Sequence, residues 1–212
     1  MEMVTLMPAR MIEKASLKVG DRAINHKVMA MIAPIAASHQ GKNAAVAIAA
    51  SRVIKERWRG LEKEKIIKGI QTARWEGRLE AISHKPLVLL DGAHNEEGAE
   101  ALRDYIQEFV SPPLFLVYAA MRDKNIARMA DFLFPLADKV ILTRFPYFRA
   151  AHPEELKEKV LKYKDHVICE SNAVQAFRCA MEMAGPEGTV LVAGSLFLIG
   201  EIKKIWRGSL SS

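Results

Sequence analysis

From Gly77 to its end the chain repeats one rhythm: a short apolar or β-branched run, a helical stretch, then another such run. Strand-like runs fall at residues 79–83, 87–90, 114–118, 139–143, 167–169 and 189–193, and helical patterns at 96–109, 126–136, 154–163, 173–184 and 196–207. Runs this short, separated by helices of this length, predict a mostly parallel sheet covered on both faces. Residues 77–212 are therefore expected to form a three-layer α/β domain. The helix after Asn95 is the best defined. Glu96 and Glu97 complement the positive end of its dipole, and Leu102, Tyr105, Ile106 and Phe109 make one apolar stripe.

Before Gly77 the texture differs. An alanine-rich tract predicts a helix over 43–58, with Asn43 placed to cap its start and Gly60 to follow its end. A second helix is expected over 62–73, with Ile66, Ile67 and Ile70 on one face. Residues 1–37 hold only short strand-like pieces around a Gly20-Asp21 turn, and are expected to need a neighbour to fold against. Residues 1–76 thus read as the tail of a different unit.

Composition narrows the partners. Half of the 212 residues are hydrophobic, enough for a real core, and the net charge is +6. A basic surface suits nucleic acid, an anionic membrane or a small polyanion such as ATP. The positive residues alternate with glutamate, as in Lys55-Glu56-Arg57 and Glu62-Lys63-Glu64-Lys65, which is the pattern of a solvated helix face and argues against nucleic acid. The longest apolar run, 28–37, is too short to span a bilayer and contains Pro34, and the N-terminus lacks the order of a signal peptide. A cytoplasmic protein without membrane or nucleic-acid partners is expected. Cys169 and Cys179 have neither metal-ligand nor redox spacing, and no metal site is expected from the residues present.

In open α/β sheets ligands bind beyond the carboxyl ends of strands. Four such loops carry suitable residues. In Leu90-Asp91-Gly92-Ala93-His94-Asn95 the Asp91 carboxylate suits a ribose diol, Gly92 allows close backbone approach, His94 overlooks the cleft and Asn95 caps the next helix. Taken alone, plain turn-and-cap chemistry is the better explanation of Asp91 and Asn95. Met121-Arg122-Asp123-Lys124 offers a cation or a solvated turn, and Phe148-Arg149-Ala150 follows the fourth strand run. Gly194-Ser195 precedes a helix whose first N–H groups suit a carboxylate or phosphate. Gly41-Lys42 lacks the surrounding glycine and hydroxyl of a P-loop, and no GxGxxG, GxSxG or HExxH occurs. These residues alone specify an anion site and no reaction.

Taken in order, six short motifs say more. Ser38-His39-Gln40-Gly41-Lys42-Asn43-Ala44-Ala45 resembles the G-H-Q-x-x-N-A segment that closes the ATPase domain of folylpolyglutamate and dihydrofolate synthases, with Ser38 in place of the usual glycine. Trp75-Glu76-Gly77-Arg78-Leu79-Glu80 is similar to their W-x-G-R-x-E linker, residues 90–95 to their D-G-A-H-N loop, and residues 121–124 to their M-x-D-K. Arg149-Ala150 matches an R-A pair, and Gly194-Ser195-Leu196 a G-S-L near the end. The resemblance implies a Rossmann-like C-terminal domain of Mur ligase type at 77–212, preceded at 1–76 by a remnant of a central ATP-binding domain.

That family activates a carboxylate as an acyl phosphate with ATP and Mg²⁺, then joins glutamate to dihydropteroate or a folate. The resemblance places Asn43 at the adenine, Arg78 at the ATP phosphates and Asp91 at the ribose. His94 and Ser195 fall beside the incoming glutamate, with Lys124 near them, and Arg78, His94 and Lys124 become the catalytic candidates. The family's P-loop and most of its Mg²⁺ ligands would precede this chain. It is therefore expected to be inactive alone and to depend on a separate N-terminal ATPase half or on a homo-oligomer. A non-catalytic module binding a ligand or partner, and another Mur-type amino-acid ligase, are the alternatives.

Overall fold

The computed structural model describes residues 38–209, except 56, 59 and 73–75. The strand-like pieces expected within 1–37 lie outside the described residues, as does the side chain of Asn43. The chain divides into two compact units, 1–74 and 75–212. In the first, α1 (Ser38–Lys55) and α2 (Lys63–Thr72) are joined by a turn in which Arg57 and Trp58 donate to the Ile54 carbonyl. Helix α1 starts five residues before Asn43, which therefore sits inside the helix rather than at its cap. Helix formation is cooperative, and the alanine run that follows carries Gly41 and Asn43 along.

The second unit is a six-stranded sheet. Its strands are β1 (Glu80–His84), β2 (Leu87–Asp91), β3 (Leu114–Tyr118), β4 (Lys139–Arg144), β5 (Val167–Asn172) and β6 (Thr189–Ala193). The spatial order is β1-β2-β6-β3-β4-β5, with β1 antiparallel to β2 and every other pair parallel. The connecting helices are α3 (Glu96–Phe109), α4 (Ile126–Leu133), α5 (Pro153–Lys159), α6 (Ala173–Ala184) and α7 (Leu196–Ser209).

Strand alternation builds two cores. Leu89, Leu116, Tyr118, Leu142 and Leu191 pack with Leu102 and Ile106 of α3, Met129 and Leu133 of α4 and Leu156 of α5. On the opposite face Val88, Leu90, Val117, Ile141, Val190 and Val192 pack with Phe177 of α6 and Leu198, Ile199 and Ile202 of α7. This is the expected three-layer, mostly parallel domain. Burial on both sides explains why β3 and β6, with all five residues buried in each, read as unbroken apolar runs.

Two helices stop earlier than the pattern predicts. Pro135 cannot donate to the helical ladder, so α4 tightens at Phe134 into the single 3₁₀ turn Phe134–Leu136. Helix α5 ends at Lys159, because Val160 leaves the helical region before another 3₁₀ turn, Leu161–Tyr163. Among the described residues no helix is long and apolar enough to cross a membrane.

Among the described residues the Thr143 hydroxyl is the one buried side-chain polar atom without a hydrogen-bond partner. By alternation it shares the face of Ile141. Thr143→Val keeps the branched shape and removes an unsatisfied group, so it is expected to raise unfolding free energy by about 1 kcal/mol in urea titrations. A loss of that size would reveal a partner for the hydroxyl.

Candidate active site

The strand order sets three loops side by side. Ala193, the last residue of β6, is registered with Asp91 of β2 on one side and Tyr118 of β3 on the other. The loops that follow Asp91, Tyr118 and Ala193 therefore share the carboxyl edge of the sheet, and they hold His94, Lys124 and Ser195. Glycines let them approach. Gly194 has φ +102°, with the Tyr118 ring and the Ala119 carbonyl against the place where a Cβ would stand. At Gly92 the side chain of Leu196 occupies that place.

Asp91 ends β2 with its carboxylate turned onto backbone. Oδ1 accepts from the Ala93 N–H at 2.8 Å and Oδ2 from the Leu79 N–H at 2.9 Å. The first bond is a local turn of the kind aspartate favours; the second reaches twelve residues back and ties the Arg78 segment to the loop. Burial pushes the Asp91 carboxyl above the usual aspartate range. The two N–H donors and the positive charge of Arg78 pull the other way. A carboxylate offers about four acceptor positions. Each Asp91 oxygen thus keeps one for a further donor.

His94 is exposed, and its Nδ1 lies 2.8 Å from the Gly92 carbonyl oxygen. A carbonyl only accepts, so that bond places a proton on Nδ1 and leaves Nε2 with its lone pair in the neutral ring. Asn95 caps α3 by accepting from the Gly98 N–H at 2.8 Å, as its sequence position predicts.

The loop after β3 separates its cations. Arg122 binds Glu155 at 2.9 Å and the Phe148 carbonyl at 2.8 Å, and Arg149 binds Asp123 at 2.8 Å. A bridge between Met121 and Ala150 seals these two loops together. Half-buried Lys124 donates its backbone N–H to Met121, while its ammonium has no hydrogen-bond or ion-pair partner among the described residues. Lys124 is thus the cation of this loop left for a ligand.

Ser195 is 3% exposed, and its Oγ accepts from the Phe197 N–H at 3.2 Å. One of the N–H groups expected to serve an anion is therefore engaged internally, and the hydroxyl proton is the part left to donate. The half-exposed Phe197 ring stacks on both Phe145 and Tyr147, at ring separations of 5.6 and 4.7 Å with nearly parallel planes. Sequence reasoning missed this aromatic buttress, although Phe145, Tyr147 and Phe148 crowd one short stretch.

Arg78 lies between two residues in the left-handed region, Gly77 at φ +71° and Leu79 at φ +44°. Its side chain is exposed, and its segment is secured by the Leu79–Asp91 bond and by the Gly92 N–H donating to the Gly77 carbonyl at 2.6 Å. The structure thus brings Arg78, Asp91, His94, Lys124 and Ser195 to one edge of one unit. Asn43 belongs to the other unit.

The sequence pattern of the Mur ligase glutamate ligase domain matches residues 77–196. The chain belongs to the Mur ligase family. A probable bifunctional folylpolyglutamate synthase/dihydropteroate synthase of Haloferax volcanii is 31% identical over 174 residues, covering 82% of this chain and 20% of that protein. The dihydrofolate synthase/folylpolyglutamate synthase of Bacillus subtilis is 31% identical over 169 residues, covering 79% of this chain and 39% of that one. Among solved structures, Escherichia coli FolC in complex with DHPP and ADP superposes with a TM-score of 0.70 at 29% identity, covering 79% of this chain and 39% of that chain. The chain spans about a fifth to two fifths of the length of these relatives. Within this Mur ligase domain the matched segment starts at Gly77, so it takes in Arg78, all three edge loops and Ser195.

Proposed function

We propose that this chain forms the C-terminal part of an ATP-dependent ligase that joins L-glutamate to dihydropteroate or a folate. The observation that carries the reading is the gathering of Arg78, Asp91, His94, Lys124 and Ser195 on one sheet edge of a glutamate ligase domain. Similarity to folylpolyglutamate and dihydrofolate synthases supports the substrate class. Residues 38–74 would belong to the end of a central ATP-binding domain, with Asn43 beside the adenine.

Each residue has a part that its surroundings suit. The Arg78 fork matches phosphate oxygens. Asp91 keeps an acceptor position on each oxygen for the ribose hydroxyls. His94 Nε2 can accept from the amino group of the incoming glutamate, and the Ser195 hydroxyl and Lys124 ammonium can donate to its carboxylates. Together these fixed donors and cations would favour the charge that develops when the amine attacks an activated carboxyl. Among the described residues no group of three His, Cys, Asp or Glu side chains could hold a metal. Mg²⁺ would thus come with the nucleotide's phosphates and take its protein ligands from elsewhere.

Because the chain spans so little of its relatives' length, we expect no turnover by itself. The test is ADP release given ATP, Mg²⁺, glutamate and dihydropteroate or tetrahydrofolate, with and without a separately produced N-terminal P-loop half from a related synthase. Release that needs the added half, both substrates and Arg78 supports the reading. Release by this chain alone would overturn its dependence on a second half. No release in any combination would favour a binding module without catalysis.

A further inference from the structure

Helix α7 carries a second feature that no site assignment uses. Lys203 lies on α7 eight residues beyond Ser195, which immediately precedes that helix, so the two are separated by about 12 Å along its axis. Its side chain is only 12% exposed, and its ammonium meets both Glu80 oxygens at 2.7 and 2.9 Å and Glu76 Oε2 at 2.9 Å. An ammonium has three donors, and here three acceptors surround it. Glu80 Oε2 also accepts the Gly77 N–H at 2.7 Å, and Arg207, one turn on, reaches the other oxygen of Glu76 at 3.3 Å.

The stretch 77–80 is therefore gripped from two directions. The loop after β2 holds it through Asp91 on the Leu79 N–H and through the Gly92 N–H on the Gly77 carbonyl. Helix α7 holds it through Lys203 on Glu80 and Glu76. Leucine occupies the left-handed region only where its surroundings impose it, and Leu79 has this grip on both sides. Without Lys203, two carboxylates would be left close together with one cation fewer, and the turn that presents Arg78 would relax.

We propose that Lys203 is a positioning residue that, with Glu80, fixes Arg78 relative to Asp91 and Ser195. Helix α7 then acts as a strut: one end carries the hydroxyl assigned to glutamate, and its third turn holds the segment assigned to phosphate. This rests on the role given to Arg78 under the proposed function.

Amide hydrogen exchange of this chain tests the grip directly. In Lys203→Met the Gly77, Leu79 and Gly92 amides should exchange about tenfold faster or more, with β3 and β6 amides unchanged, and Lys203→Arg should restore protection. Uniformly faster exchange with a lowered melting temperature would reduce Lys203 to a stabilising contact, and unchanged exchange would remove the grip altogether; both overturn the proposal. In the reconstituted ligation assay Lys203→Met should lower kcat about 10- to 100-fold with KM for glutamate nearly constant, and Lys203→Arg should recover most of it. Normal turnover in Lys203→Met beside an inactive Arg78→Ala sinks the positioning role alone. Normal turnover in Arg78→Ala sinks the functional reading on which it rests.

Discussion

Replacing Arg78 or His94 by alanine is expected to lower kcat of the reconstituted ligase by about two to three orders of magnitude, equivalent to about 3–4 kcal/mol of barrier. Both side chains are exposed, so neither contributes to either core. The His94 side chain is bonded to the Gly92 carbonyl, and loss of that exposed contact should move the unfolding midpoint little. Thermal melts and steady-state rates on the same preparations separate the two effects. A variant that is folded and fully active would remove that residue from the mechanism. The two substitutions should also differ in kind: Arg78→Ala should respond to ATP concentration, and His94→Ala to glutamate.

The second large effect is on stability. Gly194→Ala places a methyl group 2.8 Å from Cε2 of Tyr118 and still closer to the Ala119 carbonyl oxygen, at a backbone φ of +102°. Tyr118 is fully buried and cannot swing away, and the carbonyl belongs to backbone between strand and loop. Overpacking and an unfavourable dihedral act together here, so a loss of about 3 kcal/mol or more in urea unfolding is expected. Gly185→Ala makes the natural control. It also has positive φ, +56°, but a Cβ there meets nothing within 4 Å. Its smaller loss would measure the dihedral alone, and equal losses would show that crowding at Gly194 contributes nothing.

What could be read from the sequence follows from the range of the forces involved. Strand runs and helix faces are local periodicities, and all six strand runs between 79 and 193 appear as strands. Asn95 as a cap and Pro135 as a break are also local effects. The edge loops were legible because each follows the end of a strand or a helix start. Interactions that join distant positions were not. Nothing within reach of Asp91 indicates that it holds the Leu79 N–H, because the pairing of β1 with β2 makes that contact. Lys203 and Glu80 are 123 residues apart, and in the sequence Lys203 reads as one more charge on a solvated helix. Asn43 shows the opposite error, a residue with strong capping chemistry overruled by the helix-forming run beside it.

The direction of β1 decides where the chain enters this domain. It runs against its neighbour, so Glu80 at its start pairs with Leu90 near the end of β2. Had β1 been parallel to β2, its five residues would have put that entrance roughly 17 Å away, at the far end of the sheet. As built, the doorway and the ligand-facing rim coincide. The bonds from Asp91 to the Leu79 N–H and from Lys203 to Glu80 pin that doorway, so the direction of entry is fixed where the rim begins. One reversed strand thus makes the point of entry and the candidate ligand edge a single address on the sheet.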